Sequence, residues 1–201
     1  MKKDIRDCSI DEITDFCISN GMKKYVSAQI FSWLWKKSSL SIDEMTNLSL
    51  SNRELLKKEF TINGIATDLQ EESIDGTIKS RFVLHDKNLV EGVLIPQNKR
   101  MTACISSQVG CSLSCKFCAT GKIARVRNLS AGEIYDQVIS ISNQAINKYD
   151  IPLSNIVFMG MGEPLLNYKN VIQSIDYLTS KEGLNMSPRR ITLSTSGISK
   201  M

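Results

Sequence analysis

A chain of 201 residues, 42% hydrophobic and 23% charged, has enough apolar content for one or two globular domains with a real core, which excludes a disordered tail or linker. It holds no run of eighteen apolar residues, and its start, MKKDIRDCSIDEITDFC, reads as charged and helical where a secretory leader would be apolar. No membrane partner is expected, and the default location is the cytoplasm. The net charge of +4 is unevenly placed, with six basic residues and no acidic one between Lys99 and Asn128. That asymmetry favours a polyanionic partner only modestly, because solvated basic loops are common.

The first sixty residues read as a small helical unit. Ser9 with Glu12, Ser41 with Glu44 and Ser51 with Glu54 each fit the capping box, in which a hydroxyl and a carboxylate three residues on satisfy free N–H groups of a helix start. Ile30, Phe31, Leu34 and Trp35 recur at helical spacing in VSAQIFSWLWKK, a stripe that suits a core better than a base-stacking surface. Cys8 and Cys17 lie on or beside amphipathic helix and are expected as buried structural thiols.

From about Ile62 to Pro96 the period changes to two. TIKSRFVLHDKNLVEGVLIP reads as a β-hairpin turning at His85-Asp86-Lys87-Asn88. Its second strand carries Glu91, by itself a solvated strand glutamate.

From Met101 onward the order is strand, long loop, helix, strand, helix, strand. MTACISSQ is the first strand; Ser130 with Glu133 opens a helix lined by Ile134, Val138, Ile141 and Ala145. NIVFMG is a buried strand, NVIQSIDYLTS a helix and RRITLSTSG a third strand. That βαβαβ alternation predicts a parallel sheet with right-handed crossovers. The expected organisation is a helical accessory domain over 1–61, a hairpin linking segment over 62–98 and an α/β core over 99–201.

Three unusual stretches fall at the carboxyl ends of successive parallel strands: the cysteine loop, Gly160-Met161-Gly162-Glu163-Pro164, and Ser194-Thr195-Ser196-Gly197. Ligands bind at that edge of α/β sheets because loops converge there. Cys111, Cys115 and Cys118 form CxxxCxxC. In a reducing compartment such thiols point to metal or redox chemistry, not to a disulfide framework. Structural zinc wants four protein ligands, and the fourth would have to be His85, the sole histidine. A catalytic zinc with three ligands is also open. An iron–sulfur cluster normally takes four cysteines, so three leave one iron for a further ligand.

This spacing resembles the radical S-adenosylmethionine (SAM) superfamily, in which the open iron chelates the amino and carboxylate groups of SAM. More closely, ACISSQVGCSLSCKFCATG, FMGMGEPLLN and RRITLSTSG, with FSWLWKK and DEMTNLS in the helical unit, resemble the adenine C2 methyltransferases of the RlmN type. The resemblance implies an α/β fold, the first half of a radical-SAM partial (β/α)6 barrel preceded by a small helical domain and a β-hairpin. It implies a 4Fe-4S cluster on Cys111, Cys115 and Cys118, and SAM contacts at Gly162, Glu163 and Ser194. It makes Cys104 the second catalytic cysteine and Glu91 a proton acceptor. The implied partners are 23S rRNA, tRNA and an electron donor such as flavodoxin or ferredoxin.

Adenine C2 is electron-poor and not nucleophilic, so direct transfer from a methylsulfonium has no partner. The family uses two SAM molecules and a radical route instead. Lys99, Arg100, Lys122, Arg125 and Arg127 would then neutralise phosphates around a flipped adenosine. No cysteine follows Cys118, whereas the family carries its methyl-bearing cysteine near the C-terminus. The expectation is therefore a fragment that binds the cluster and part of the SAM site but is inactive alone. The alternatives are an adenine C8 methyltransferase of the same superfamily and a zinc-stabilised RNA-binding module without catalysis.

Overall fold

A computed structural model describes residues 2–198. The chain opens with a short strand, β1 (Lys3–Asp4), and a 3₁₀ turn over Ile5–Asp7, then runs through α1 (Ile10–Ser19), α2 (Tyr25–Trp35) and α3 (Leu50–Glu59). It returns as β2 (Phe60–Thr61), which pairs in parallel with β1 and closes the helical unit. Ser9 and Glu12 form the expected capping box on α1. The other two expected boxes differ. Ser41 caps only a 3₁₀ turn, because Glu44 accepts the Ser39 hydroxyl at 2.6 Å. Ser49, not Ser51, caps α3, a start that leaves Leu48 and Leu56 in the core. The Ile30, Leu34 and Trp35 stripe is buried, as are Cys8 and Cys17.

Six strands form one mixed sheet. They are β3 (Ala66–Glu72), β4 (Ile78–Val83), β5 (Leu89–Gln97), β6 (Arg100–Cys104), and, beyond a ladder of β7 (Gln108–Val109) with β8 (Arg127–Asn128) and helix α4 (Ala131–Tyr149), β9 (Asn155–Phe158), then, after α5 (Tyr168–Thr179), β10 (Ile191–Leu193). The spatial order is β10-β9-β6-β5-β4-β3. β6, β9 and β10 are mutually parallel, and β3 to β6 form an antiparallel meander. The hairpin thus continues the core sheet directly. It also has a third strand, β3, that the period-2 pattern misses, because ATDLQEE is exposed throughout and a bulge between Thr67 and Leu69 breaks its alternation.

One face of the sheet carries Val90, Leu94, Ala103, Ile156 and Phe158 into the core. A Cβ on Gly92, on that same face, would stand 3.0 Å from Ile141 of α4, so this is the side the helix packs against. The alternate residues Glu91, Val93, Thr102, Cys104 and Val157 face the other way and are exposed or half-buried.

The helical unit is sealed to this core at two places. Trp35, fully buried, stacks on Tyr177 of α5 at 3.6 Å between ring centroids and meets Tyr135 of α4 edge-on at 5.2 Å. Arg6, also buried, donates from Nη1 to both Asp136 oxygens at 2.8 Å and from Nη2 to the Asn63 carbonyl at 2.9 Å. Burial disfavours its charge, but Asp136 and Asp4 outweigh that and hold the guanidinium firmly protonated. Gly132 makes room for it, since a Cβ there would lie 2.8 Å from the Arg6 Cζ.

Candidate functional site

The first parallel strand ends at Cys104, earlier than the MTACISSQ pattern suggests, and the chain then leaves the sheet through Ile105–Gln108. β7 and β8 pair antiparallel and close the neck of a loop that contains Cys111, Cys115 and Cys118. Inside it the Cys111 N–H donates to the Ile123 carbonyl at 3.2 Å and the Cys118 N–H to the Cys115 carbonyl at 3.1 Å. Gly110 sits at φ 71°, where an added Cβ would strike the Ala124 carbonyl oxygen at 2.2 Å, so only glycine fits that crossing. All three thiols are free and half-buried. Among the described residues no three His, Cys, Asp or Glu side chains already converge in a metal-holding arrangement. The donor set nevertheless suits an iron–sulfur cluster with one open iron: three unpaired thiols on a single loop closed by its own backbone.

The loops after β9 and β10 stand beside it. Glu163 is only 4% exposed. Its Oε1 accepts the Thr195 hydroxyl at 2.6 Å and the Leu165 N–H at 3.1 Å, and its Oε2 accepts the Ser196 N–H at 2.9 Å. Burial pushes this carboxyl up, but those donors outweigh it and hold Glu163 below its ordinary range. The free acceptor capacity is the remaining lone pair of Oε2. Gly162, at φ 96°, lacks a Cβ where one would lie 2.5 Å from the Gln108 Cβ. Ser194 is exposed just past the end of β10.

Cys104 faces Val93 across the β5–β6 pair, and Glu91 lies two residues along from Val93, so the thiol and the carboxylate both occupy the open face of the sheet. Burial raises the Cys104 thiol, partly offset by a hydrogen bond with the Met159 backbone. Glu91 is half exposed and faces Lys79 at 3.6 Å.

Of the five basic residues expected on phosphate, Lys122 and Arg125 are exposed on the cysteine loop, whereas Lys99 and Arg100, also exposed, stand at the turn into β6, at the amino end of the parallel strands and away from that loop. Arg127 is not available. Its guanidinium donates to both oxygens of buried Glu133 at 2.8 Å and to Asp86 at 2.6 Å, which holds the carboxyl of Asp86 well below the usual range. His85 stands in the same group, its Nδ1 at 3.4 Å from Glu133, and not with the cysteines.

Sequence reasoning missed the residues that tie the loops together. Gln108 donates from Nε2 to the Asn128 Oδ1 at 2.7 Å and accepts the Glu163 N–H on Oε1 at 2.9 Å. Asn167 donates to the carbonyls of Ser107 and Leu129, both at 2.8 Å. The Ser106 hydroxyl donates to the Glu91 carbonyl at 2.6 Å and accepts the Met161 N–H at 2.8 Å. The one available signal was a polar triplet, Ser106-Ser107-Gln108, directly after an apolar strand.

Comparison with known proteins gives a consistent picture. Residues 3–62 match the ribosomal RNA large subunit methyltransferase N-terminal domain, and residues 105–200 match the radical SAM superfamily. A probable dual-specificity RNA methyltransferase RlmN from Cytophaga hutchinsonii is 58% identical over 200 residues, covering 100% of this chain and 55% of that protein. The dual-specificity RNA methyltransferase RlmN of Geotalea uraniireducens is 43% identical over 197 residues, covering 98% of this chain and 56% of that one. The crystal structure of a radical SAM methyltransferase from Sphaerobacter thermophilus superposes with a TM-score of 0.85 at 36% identity, over 98% of this chain and 57% of the other. The chain therefore spans a little over half the length of these relatives.

Proposed function

From the premise that this chain belongs to the RlmN family of radical SAM proteins, we propose that it supplies the cluster and SAM site for methylation of C2 of a specific adenosine in 23S rRNA and in tRNA. The observation that carries this reading is the placement of three free thiols at the carboxyl end of a parallel strand, with the Glu163 and Ser194 loops at the ends of the next two.

Cys111, Cys115 and Cys118 hold a 4Fe-4S cluster in this reading. Such a cluster, with SAM bound, would supply the one-electron chemistry that an unactivated ring carbon requires. The chain's own residues provide position. Gly162 lets the backbone approach the cofactor, and the Oε2 of Glu163 and the hydroxyl of Ser194 offer polar contacts to it. Cys104 and Glu91 take the roles of second catalytic cysteine and acceptor of the C2 proton, from the open face of the sheet. Lys122 and Arg125, exposed on the cysteine loop, meet RNA phosphates beside the site. The electron comes from a flavodoxin- or ferredoxin-like donor, and the setting is cytoplasmic.

The test is electron paramagnetic resonance of the anaerobically reconstituted, reduced protein with and without SAM, beside an iron, sulfide and zinc assay. A 4Fe-4S signal that shifts on adding SAM is expected. Stoichiometric zinc with no such signal would overturn the reading. Nucleoside mass spectrometry of RNA treated with the enzyme at its relatives' full length separates C2 from C8.

A further inference from the structure

The cysteine loop and the Glu163 loop belong to different βα units, yet one fully buried side chain stands between them. Gln108 is three residues before the first cysteine. Its Oε1 is the acceptor for the Glu163 N–H, and its Nε2 holds Asn128 at the far side of the loop neck. Asn128 in turn donates from Nδ2 to the Leu166 carbonyl at 3.1 Å, so the amides close a ring that starts and finishes in the segment 163–166. The Gln108 N–H also reaches the Met161 carbonyl at 3.2 Å. Neither loop can slide past the other without breaking one of these bonds. Only Val109 and Gly110 separate Gln108 from Cys111, and Gly110 is packed against the Ala124 carbonyl.

On the radical SAM reading given above, we infer that Gln108 is a positioning residue. It sets the distance and register between the three cluster ligands and the backbone at Gly162 and Glu163 that meets SAM. A residue that merely filled space would need no amide. Here both ends of the amide are used, one on each loop, and a buried N–H loses its only acceptor when the side chain is cut back.

The experiment compares wild type, Gln108→Ala, Gln108→Glu and Asn128→Ala, alone and combined, in the anaerobically reconstituted chain. Iron content in Gln108→Ala is expected to equal wild type, because the three cysteines remain. The SAM concentration needed for half the shift of the cluster signal is expected to rise about tenfold. Gln108→Glu keeps an acceptor for the Glu163 N–H and should recover part of that loss. Adding Asn128→Ala to Gln108→Ala should cost less than Asn128→Ala alone. In the metal-free chain, amide exchange at Glu163 should quicken about tenfold in Gln108→Ala, with exchange in α1 to α3 unchanged. A wild-type SAM response in Gln108→Ala, or a loss of cluster with unaltered SAM response per cluster, would overturn the inference. If wild type itself gives no SAM-responsive signal, the functional reading falls, and the exchange rates alone decide whether Gln108 couples the loops.

Discussion

The helical unit and the strand-end loops are anchored to the same α/β core by different physics. The helical unit is held by burial: Trp35 stacked on Tyr177, and Arg6 enclosed with Asp136 and Asp4. The strand ends leave Phe117 94% exposed and Val126 59% exposed, and are fixed by amides, hydroxyls and left-handed backbone at Gly110, Ser114 and Gly162. Apolar burial supplies stability without choosing a fine geometry. Hydrogen bonds to named backbone atoms supply geometry with less stability. A site that must hold a cofactor in register is built the second way on a foundation built the first way.

The largest effect should follow from breaking the foundation. Arg6→Ala strands two buried carboxylates and is expected to cost about 3–5 kcal/mol, measured by urea unfolding. Arg127→Gln tests the border between the two regions. It removes a bidentate partner from buried Glu133 and should cost ~1.5–3 kcal/mol. Arg125→Gln, exposed and losing one surface hydrogen bond to the Asn128 Oδ1 at 3.1 Å, should leave stability within ~0.5 kcal/mol. On the function proposed above, its effect should appear instead as a shallower dependence of RNA binding on salt. An Arg127 variant as stable as wild type would erase the distinction.

Much of the foundation was legible. The boxes at Ser9 and Ser130 are local patterns, and the structure forms both. The period-2 runs marked β4 and β5, and the alternation after Met101 gave parallel β6, β9 and β10. CxxxCxxC named its own loop. Arg6 was not legible, because in MKKDIRDCS it looks like one more solvated charge until Asp136, 130 residues away, encloses it. Arg127 was misjudged for the same reason: a basic residue in a basic loop carries no sign of a buried Glu133 until the chain folds. Gln108 and Asn167 escaped because a neutral amide has no periodicity and no charge. Its meaning lies in which loops it joins.

Glu163→Gln falls between Arg127→Gln and Arg125→Gln and adds a pH dependence. The carboxylate accepts three hydrogen bonds from its own chain, and an amide cannot accept all three, so the cost should be about 1–3 kcal/mol. The folded carboxyl titrates below its ordinary value of 4.5. Its contribution is therefore full above that pH and fades as the pH falls through the folded value. The gap between wild type and Glu163→Gln should be widest near neutrality and narrow in acid. A gap that stays constant down to acid pH would mean that shape alone holds the Thr195 hydroxyl and the Ser196 N–H.

A stability effect as small as that of Arg125→Gln belongs to the residue with the largest expected effect on function. Cys118 is half-buried, and its loop is shaped by backbone bonds from Cys111 to Ile123 and from Cys118 to Cys115 that do not involve sulfur. Cys118→Ser should therefore move the metal-free stability by no more than ~0.5 kcal/mol. The same change removes one thiolate of three, and iron retained after anaerobic reconstitution should fall to near nothing. If the metal-free variant instead loses several degrees of Tm, the thiol is packed as tightly as Cys17 in the helical unit. The division between a region that stabilises and a region that positions would then fail where it matters most.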